Sequence, residues 1–317
     1  MDVITLGETM VLFTPKSKGL MRYAADFTAK IAGAESNVAI GLARLGHKSA
    51  WISRLGNDEF GKKILSFIRG EGVDVSEVRF DPSADTGLYF KEKLTANEMR
   101  VQYYRKLSAA SRMSPDDLNE SFIKKAKYVH ITGITPALSE NCYETVEKVI
   151  DIAKKNGVTV VFDPNLRRKL WAEDQAKKVL LDIASQADIV LPGITEGEFL
   201  FGKLEPERLA ERFYEHGAST VVLKLGAKGA YYLSGNDRGL VPGFHVNHVV
   251  DPVGAGDGFA AGLLSGLLDH LPLQKAVERG TIVGAMVTMV PGDVEGLPDR
   301  ERLELFANGT NQEDVRR

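Results

Sequence analysis

The chain has 317 residues, a formal net charge of -3 at pH 7, one cysteine, 44% hydrophobic and 26% charged residues. This balance supports a sizeable buried core and argues against a general nucleic-acid binder or an attraction to anionic membranes. The lone Cys142 excludes an internal disulfide and a cysteine-based zinc site, and no run reaches the ~18 apolar residues of a membrane span.

Val3–Leu6 is a short apolar run ending at Gly7, the pattern of a buried strand, and it begins too early for a signal peptide. A cytoplasmic protein is therefore expected. Residues 10–31 alternate loosely and predict short strands. Val38, Ile40, Leu42, Ala43 and Leu45 follow at helical spacing and close at Gly46. A strand over 49–55 and a helix over 60–71 come next. Residues 86–93 and 99–106 alternate with period two and predict paired strands. From residue 128 the rhythm becomes strand, loop, helix: strands over 128–131, 158–162, 188–191 and 219–225, and helices over 140–156, 175–185 and 205–216. Such alternation indicates a parallel sheet with helices on both faces. Residues 230–250 read as antiparallel hairpin material, and 258–269 and 274–290 as apolar helices.

The expected fold is a doubly wound, mostly parallel α/β sheet in one domain, residues 1–317, with a small β-sheet lid from insertions at about 10–31 and 86–106. In open α/β sheets ligands sit beyond the carboxyl ends of the strands, so the loops there are where chemistry is sought. The 31 glycines, against roughly 22 at a usage of about 7%, concentrate between Gly226 and Gly296 among Val, Leu, Ile and Phe. That is the mark of folded backbone that turns sharply or approaches something closely.

The richest loop is Asp251-Pro252-Val253-Gly254-Ala255-Gly256-Asp257-Gly258, which opens an apolar helix. Small residues at a helix N-terminus suit an anion such as phosphate. Asp257 is there either a helix cap or a general base, and spacing leaves both open. Gly56 to Lys63 nearly matches a Walker A loop, but Lys63 stands where Ser or Thr must ligate magnesium, so it reads as an ordinary strand-to-helix turn. Gly254-x-Gly256 lacks the third glycine of a dinucleotide fingerprint. Lys224 to Gly229 is a glycine turn against which a nucleotide can lie. Thr195 with Glu198 reads as a capping box, which leaves Glu196 as a candidate for magnesium through water. Arg105 and Arg167 come from distant segments and can grip a carboxylate, near Tyr89 and Tyr103. The six histidines form no metal-ligand pattern.

Together these pieces resemble the PfkB, or ribokinase-like, family of sugar kinases over nearly the whole chain. The resemblance rests on Ala32-Gly33-Ala34-Glu35-Ser36-Asn37-Val38-Ala39 with Leu42 to Gly46, on Asp251 to Asp257, and on Gly226 and Gly229. It implies Asp257 as the base on a sugar hydroxyl, and the amides of Gly254, Ala255 and Gly256 as the anion hole. It further implies an ATP site along Lys224, Gly226, Ala227 and Gly229, with Gly254 and Gly256 on the phosphates. Glu196 would match the acidic position of the family's magnesium motif. The backbone at Asp251 and Val253, with the loop near Gly292, would match a monovalent-cation (K+) site, and the lid would serve in homo-oligomer contacts. Three positions depart from the pattern: Ala32 replaces a Gly, Pro252 a Thr, and Gly193 the Asn of the magnesium motif.

Within the family, Gly33 to Asn37, Tyr103-Tyr104-Arg105, Thr132-Gly133-Ile134 and Asp163 to Arg167 are similar to members that phosphorylate 2-keto-3-deoxygluconate. The substrate contacts this implies are Gly33, Ala34, Asn37, Tyr89, Tyr103, Arg105, Arg167 and Asp257. The expected partners are ATP and a sugar acid, with no nucleic acid and no membrane. Kinases of fructose, ribose or a related keto-deoxy acid are the alternatives, as is a catalytically silent sugar-binding protein on the same fold.

Overall fold

The structure, a computed structural model, describes residues 1–17, 19–93 and 99–308, without the side chains of residues 93 and 99. The predicted segments 10–31 and 86–106 and the predicted unit 1–317 therefore reach past it: residues 18, 94–98 and 309–317 lie outside the described residues.

The chain opens with β1 (Val3–Leu6), β2 (Met10–Pro15), β3 (Phe27–Ala32), α1 (Ala34–Arg44), β4 (Ser49–Gly56), α2 (Glu59–Gly70) and β5 (Val78–Asp81). Two strands, β6 (Leu88–Lys93) and β7 (Met99–Tyr104), precede a short α3 (Glu120–Ile123). The alternating stretch follows: β8 (Tyr128–Thr132), α4 (Glu140–Lys155), β9 (Thr159–Asp163), α5 (Glu173–Gln186), β10 (Ile189–Val190), α6 (Ile194–Phe201), α7 (Pro206–Glu215) and β11 (Thr220–Lys224). The chain then makes a hairpin, β12 (Ala230–Ser234) and β13 (Asp237–Val241), and ends its described part in α8 (Ala255–Leu268), α9 (Leu273–Val287) and α10 (Arg300–Ala307).

Nine strands form one sheet in the order β5-β4-β1-β8-β9-β10-β11-β12-β13. The seven from β5 to β11 are parallel, and the closing hairpin pairs antiparallel. Strand β9 explains the near-continuous apolar runs of the parallel strands. Val160 and Phe162 face a core shared with α4 and α5, whereas Val161 faces the opposite core with α8. Both faces are covered, so both side-chain sets must be apolar. A second sheet, ordered β3-β2-β6-β7, joins the two segments whose alternation set them apart.

α8 and α9 pack closely because their contact is lined by small residues. A Cβ on Gly266 would sit 2.6 Å from Ala276 Cα, a distance real Cβ atoms do not reach. Glycine in a helix costs about 1 kcal/mol relative to alanine, and here the close approach requires it.

Several predictions need correction. The hairpin predicted over 230–250 ends at Val241, and 242–250 runs to α8 without regular structure. β5, α3 and α10 are not expected from the sequence. β5 is a four-residue edge strand with Arg79 and Phe80 exposed, too short to show a period. α6, expected from its capping pattern, is capped at Gly193, two residues before the predicted cap Thr195. Among the described residues no helix is long and apolar enough to cross a membrane.

Candidate active site

The predicted site residues gather where the parallel strands end. Gly7 and Glu8 follow β1, Thr132 closes β8, Asp163 closes β9, Gly193 lies just beyond β10, and Lys224 closes β11. The second sheet stands over these ends. A cavity of about 470 Å³ lies between them, lined among others by Glu8, Lys91, Arg105, Asp163, Arg167 and Asp257. Gly33, Ala34, Asn37, Tyr89 and Tyr103 also line it, so the expected substrate residues come to one cavity.

Gly254 makes the turn into α8. It adopts φ +82°, and a Cβ there would meet the Asp293 carbonyl at 2.8 Å. Both facts require glycine. The first turn of α8, Ala255 to Asp257, then presents N–H groups that have no carbonyl four residues back. Ala255 leans weakly on the Pro252 carbonyl at 3.4 Å.

Asp257 is the third residue of that turn, and no side chain caps the helix, so the capping alternative falls away. Its Oδ2 instead accepts a hydrogen bond from Asn37 Nδ2 at 2.7 Å, across from α1. Burial pushes the Asp257 carboxyl up to about 7, with Asp163 and Asp293 adding to the rise and Asn37 and Arg167 opposing it. A carboxyl balanced near neutral pH at a helix N-terminus has the properties of a general base.

Glu196, the predicted magnesium contact, also has a structural role. The N-cap of α6 is Gly193, not Thr195, and Glu196 rather than Glu198 is the N3 acid that reaches back to the cap N–H. Glu196 Oε2 accepts the Gly193 N–H at 2.6 Å, and Oε1 accepts the Leu166 N–H at 2.8 Å, tying the loops after β9 and β10 together. Its carboxyl is raised by burial and by nearby Asp163. Each oxygen can accept a second hydrogen bond, and Glu196 lines the charged cavity, which fits contact with a metal's water shell. Among the described residues no group of three or more His, Cys, Asp or Glu side chains is arranged to hold a metal ion.

Arg105 and Arg167 both line the cavity in unlike states. Arg105 is 8% exposed, and its Nε donates to Glu8 Oε2 at 2.7 Å while a terminal nitrogen pairs with the same oxygen. Ser108 donates to the other Glu8 oxygen at 2.6 Å. The Arg105 charge is thus largely matched within the protein, and its guanidinium lies over Tyr103 at 5.4 Å. Arg167 stands exposed at the cavity mouth.

Residues that the sequence did not single out complete the wall. Asp293 is 7% exposed, and burial with Asp251 and Glu295 nearby lifts its carboxyl to about 6 against the pull of Lys91. Lys91, on β6, donates to Asp251 Oδ2 at 2.6 Å. Glu35 packs under Gly7 and accepts from Thr132 and Thr135, so its place in the N-terminal motif is structural. Spacing could not flag Glu8, Lys91 or Asp293, because none of the three belongs to a motif whose residue types point to chemistry.

A second cavity, about 620 Å³, is lined by Gly226, Ala227, Gly229, Phe244, Phe259 and Ala285, among others. Lys224, Pro252 and Gly256 line both cavities, so the two meet beside the first turn of α8. The near-match to a Walker loop is filled by its own side chain: Asp58 accepts from the Gly61 and Thr86 N–H groups. A phosphate has no place there.

Comparison with known proteins gives the family. Residues 1–300 match the profile of the pfkB family carbohydrate kinases. The 2-dehydro-3-deoxygluconokinase of Bacillus subtilis (strain 168) is 44% identical over 309 residues, covering 96% of this chain and 95% of that one. Its namesake from Thermoproteus tenax is 36% identical over 310 residues, covering 96% and 94%. Fructokinase-2 of Solanum lycopersicum is more distant, 33% identical with 97% and 96% covered. Among solved structures, the 2-dehydro-3-deoxygluconokinase of Thermotoga maritima superposes with a TM-score of 0.86 at 28% identity, covering 98% of each chain. A candidate ribokinase II from E. coli, in complex with ATP and Mg2+, gives 0.89 at 27% identity, covering 97% and 99%. The chain belongs to the pfkB family of carbohydrate kinases.

Proposed function

We propose that this kinase transfers the γ-phosphoryl group of ATP to 2-keto-3-deoxygluconate, giving 2-keto-3-deoxy-6-phosphogluconate. The observation that carries the reading is Asp257: a carboxyl raised to about 7 by burial, at the point where a charged cavity and an apolar cavity meet. The names of the relatives most similar in sequence support the choice of substrate.

The sugar acid occupies the charged cavity, against Gly33, Ala34, Asn37, Tyr89 and Tyr103, with its carboxylate toward Arg167 and the outer side of Arg105. ATP occupies the apolar cavity, its base and ribose along Gly226, Ala227 and Gly229. The substrate's terminal hydroxyl gives its proton to Asp257 as its oxygen bonds to the γ-phosphorus. The bond from that phosphorus to the bridging oxygen breaks, and its electron pair leaves with ADP. The N–H groups of Gly254, Ala255 and Gly256 stabilise the charge in transit.

Glu196 would hold the water shell of a magnesium ion bound with the nucleotide, which would supply neutralisation of phosphate charge. K+ beside the backbone of Asp251 and the loop near Gly292 belongs to the same reading. So do homo-oligomer contacts through the small sheet, acting as a lid, and a cytoplasmic location.

The test is an ADP-release assay with ATP and a substrate panel: 2-keto-3-deoxygluconate, related keto-deoxy acids, fructose and ribose. The keto-deoxy acid is expected to give the highest kcat/KM. A preference for fructose or ribose would replace the substrate, and no turnover with any sugar would leave a silent sugar-binding protein.

A further inference from the structure

Lys224 closes β11 with its side chain 17% exposed, and its Nζ donates to Asp163 Oδ2 at 2.5 Å. Asp163 itself is nearly buried and is held by the Asn165 N–H at 3.2 Å. The backbone is fixed as well, since the Lys224 N–H donates to the Pro192 carbonyl at 2.7 Å. The ammonium lies 3.7 Å from where a Cβ on Gly256 would stand. It therefore sits beside the first turn of α8, and Lys224 lines both cavities.

This placement is costly for a residue that only neutralises Asp163. An ammonium beside a helix N-terminus puts two positive elements together, which is unfavourable unless an anion comes between them. Burial works against the charged form, but Asp163, Glu196 and Asp257 favour it, and the net shift of the ammonium is upward. The result is a fixed cation, pre-oriented by Asp163, at the junction of the nucleotide and sugar spaces.

We propose that Lys224 is a catalytic residue that contacts the phosphoryl group in transit, with Asp163 as its positioning residue. The inference rests on the kinase reading above. Lys224 forms and breaks no bond. Its ammonium balances the negative charge on the equatorial phosphoryl oxygens, while the hydroxyl proton still goes to Asp257 and the electron pair leaves with ADP. A fixed charge acts this way without reorganising at the moment of reaction.

A single substitution would leave Asp163 buried and unpaired, so the test uses two variants: Lys224→Met, and Lys224→Met combined with Asp163→Asn. Wild type, assayed beside them, separates the two readings. The expected result is a kcat loss of about 100- to 1,000-fold in both variants, with the double variant recovering the wild-type Tm. Calorimetry gives a readout apart from turnover. MgADP should bind both variants within about threefold of wild type, while the complex of MgADP, aluminium fluoride and sugar acid should weaken by about 100-fold or more. Recovery of kcat together with Tm in the double variant would overturn the proposal and make the pair structural. Equal weakening of both complexes would also overturn it. Wild type without turnover would remove the kinase reading and this inference with it.

Discussion

The two cavities that meet at α8 are built in opposite ways. The apolar one draws its lining from a single stretch, residues 224–288, and its walls combine small residues such as Gly226, Ala227, Gly229 and Ala285 with Phe244 and Phe259. The charged one collects side chains from across the chain, from Glu8 to Asp293. The difference follows from the ligands proposed for them. A flat base and ribose need space and close backbone approach, which glycine and alanine provide. A polyhydroxy acid needs directed charges and hydrogen bonds at several angles, which no single segment can supply.

The sharpest way to break this contrast is a pair of reciprocal substitutions. Arg167→Ala should raise KM for the sugar acid about 10- to 100-fold, the scale of a lost charged hydrogen bond, and leave KM for ATP nearly unchanged. Ala285→Phe fills the apolar cavity and should raise KM for ATP by about tenfold or more through steric exclusion, sparing the sugar acid. Steady-state kinetics with each substrate varied in turn checks both. Equal effects on the two substrates would dissolve the division between the cavities.

A smaller effect concerns pH. Asp257 must be ionised to take a proton, and burial lifts its carboxyl to about 7. kcat/KM should therefore fall about tenfold per pH unit below that value. Stability carries the opposite sign. Between the ordinary aspartate range and pH 7, the folded protein keeps a proton that the unfolded chain has lost, so stability declines as pH rises through that window. Asp257→Asn removes the titration, so its Tm should gain on wild type at pH 8 but not at pH 4. A Tm difference independent of pH would contradict the raised carboxyl.

The smallest effect is expected in the Walker-like turn. Lys62 is largely exposed and pairs with Glu59 one helical turn away. Lys62→Ala should leave kcat and both KM values unchanged in the same assay.

The contrast between the cavities also explains what was legible in the sequence. Gly254 and Gly256 stood out because a helix start with so many small residues has few structural uses, and the fold places them at the junction. The parallel strands were legible because two-sided burial produces runs such as Val160-Val161-Phe162. The cap of α6 is not legible: Thr195 and Glu198 match the capping spacing as well as Gly193 and Glu196 do, and a glycine offers no side chain to mark it as a cap. The state of Arg105 was illegible for another reason. Its partner Glu8 lies 97 residues away, and only the packing of β7 over the end of β1 brings them together. The same holds for Lys91 with Asp251 and for Lys224 with Asp163.

The central claim is that Asp257 takes the hydroxyl proton in ATP-dependent phosphorylation of the sugar acid. Single-turnover ADP release by Asp257→Asn, which keeps an oxygen to accept from Asn37, tests it most directly. The rate should fall about 100- to 10,000-fold, with sugar-acid and ATP binding near wild type. A rate equal to wild type would remove Asp257 from the chemistry.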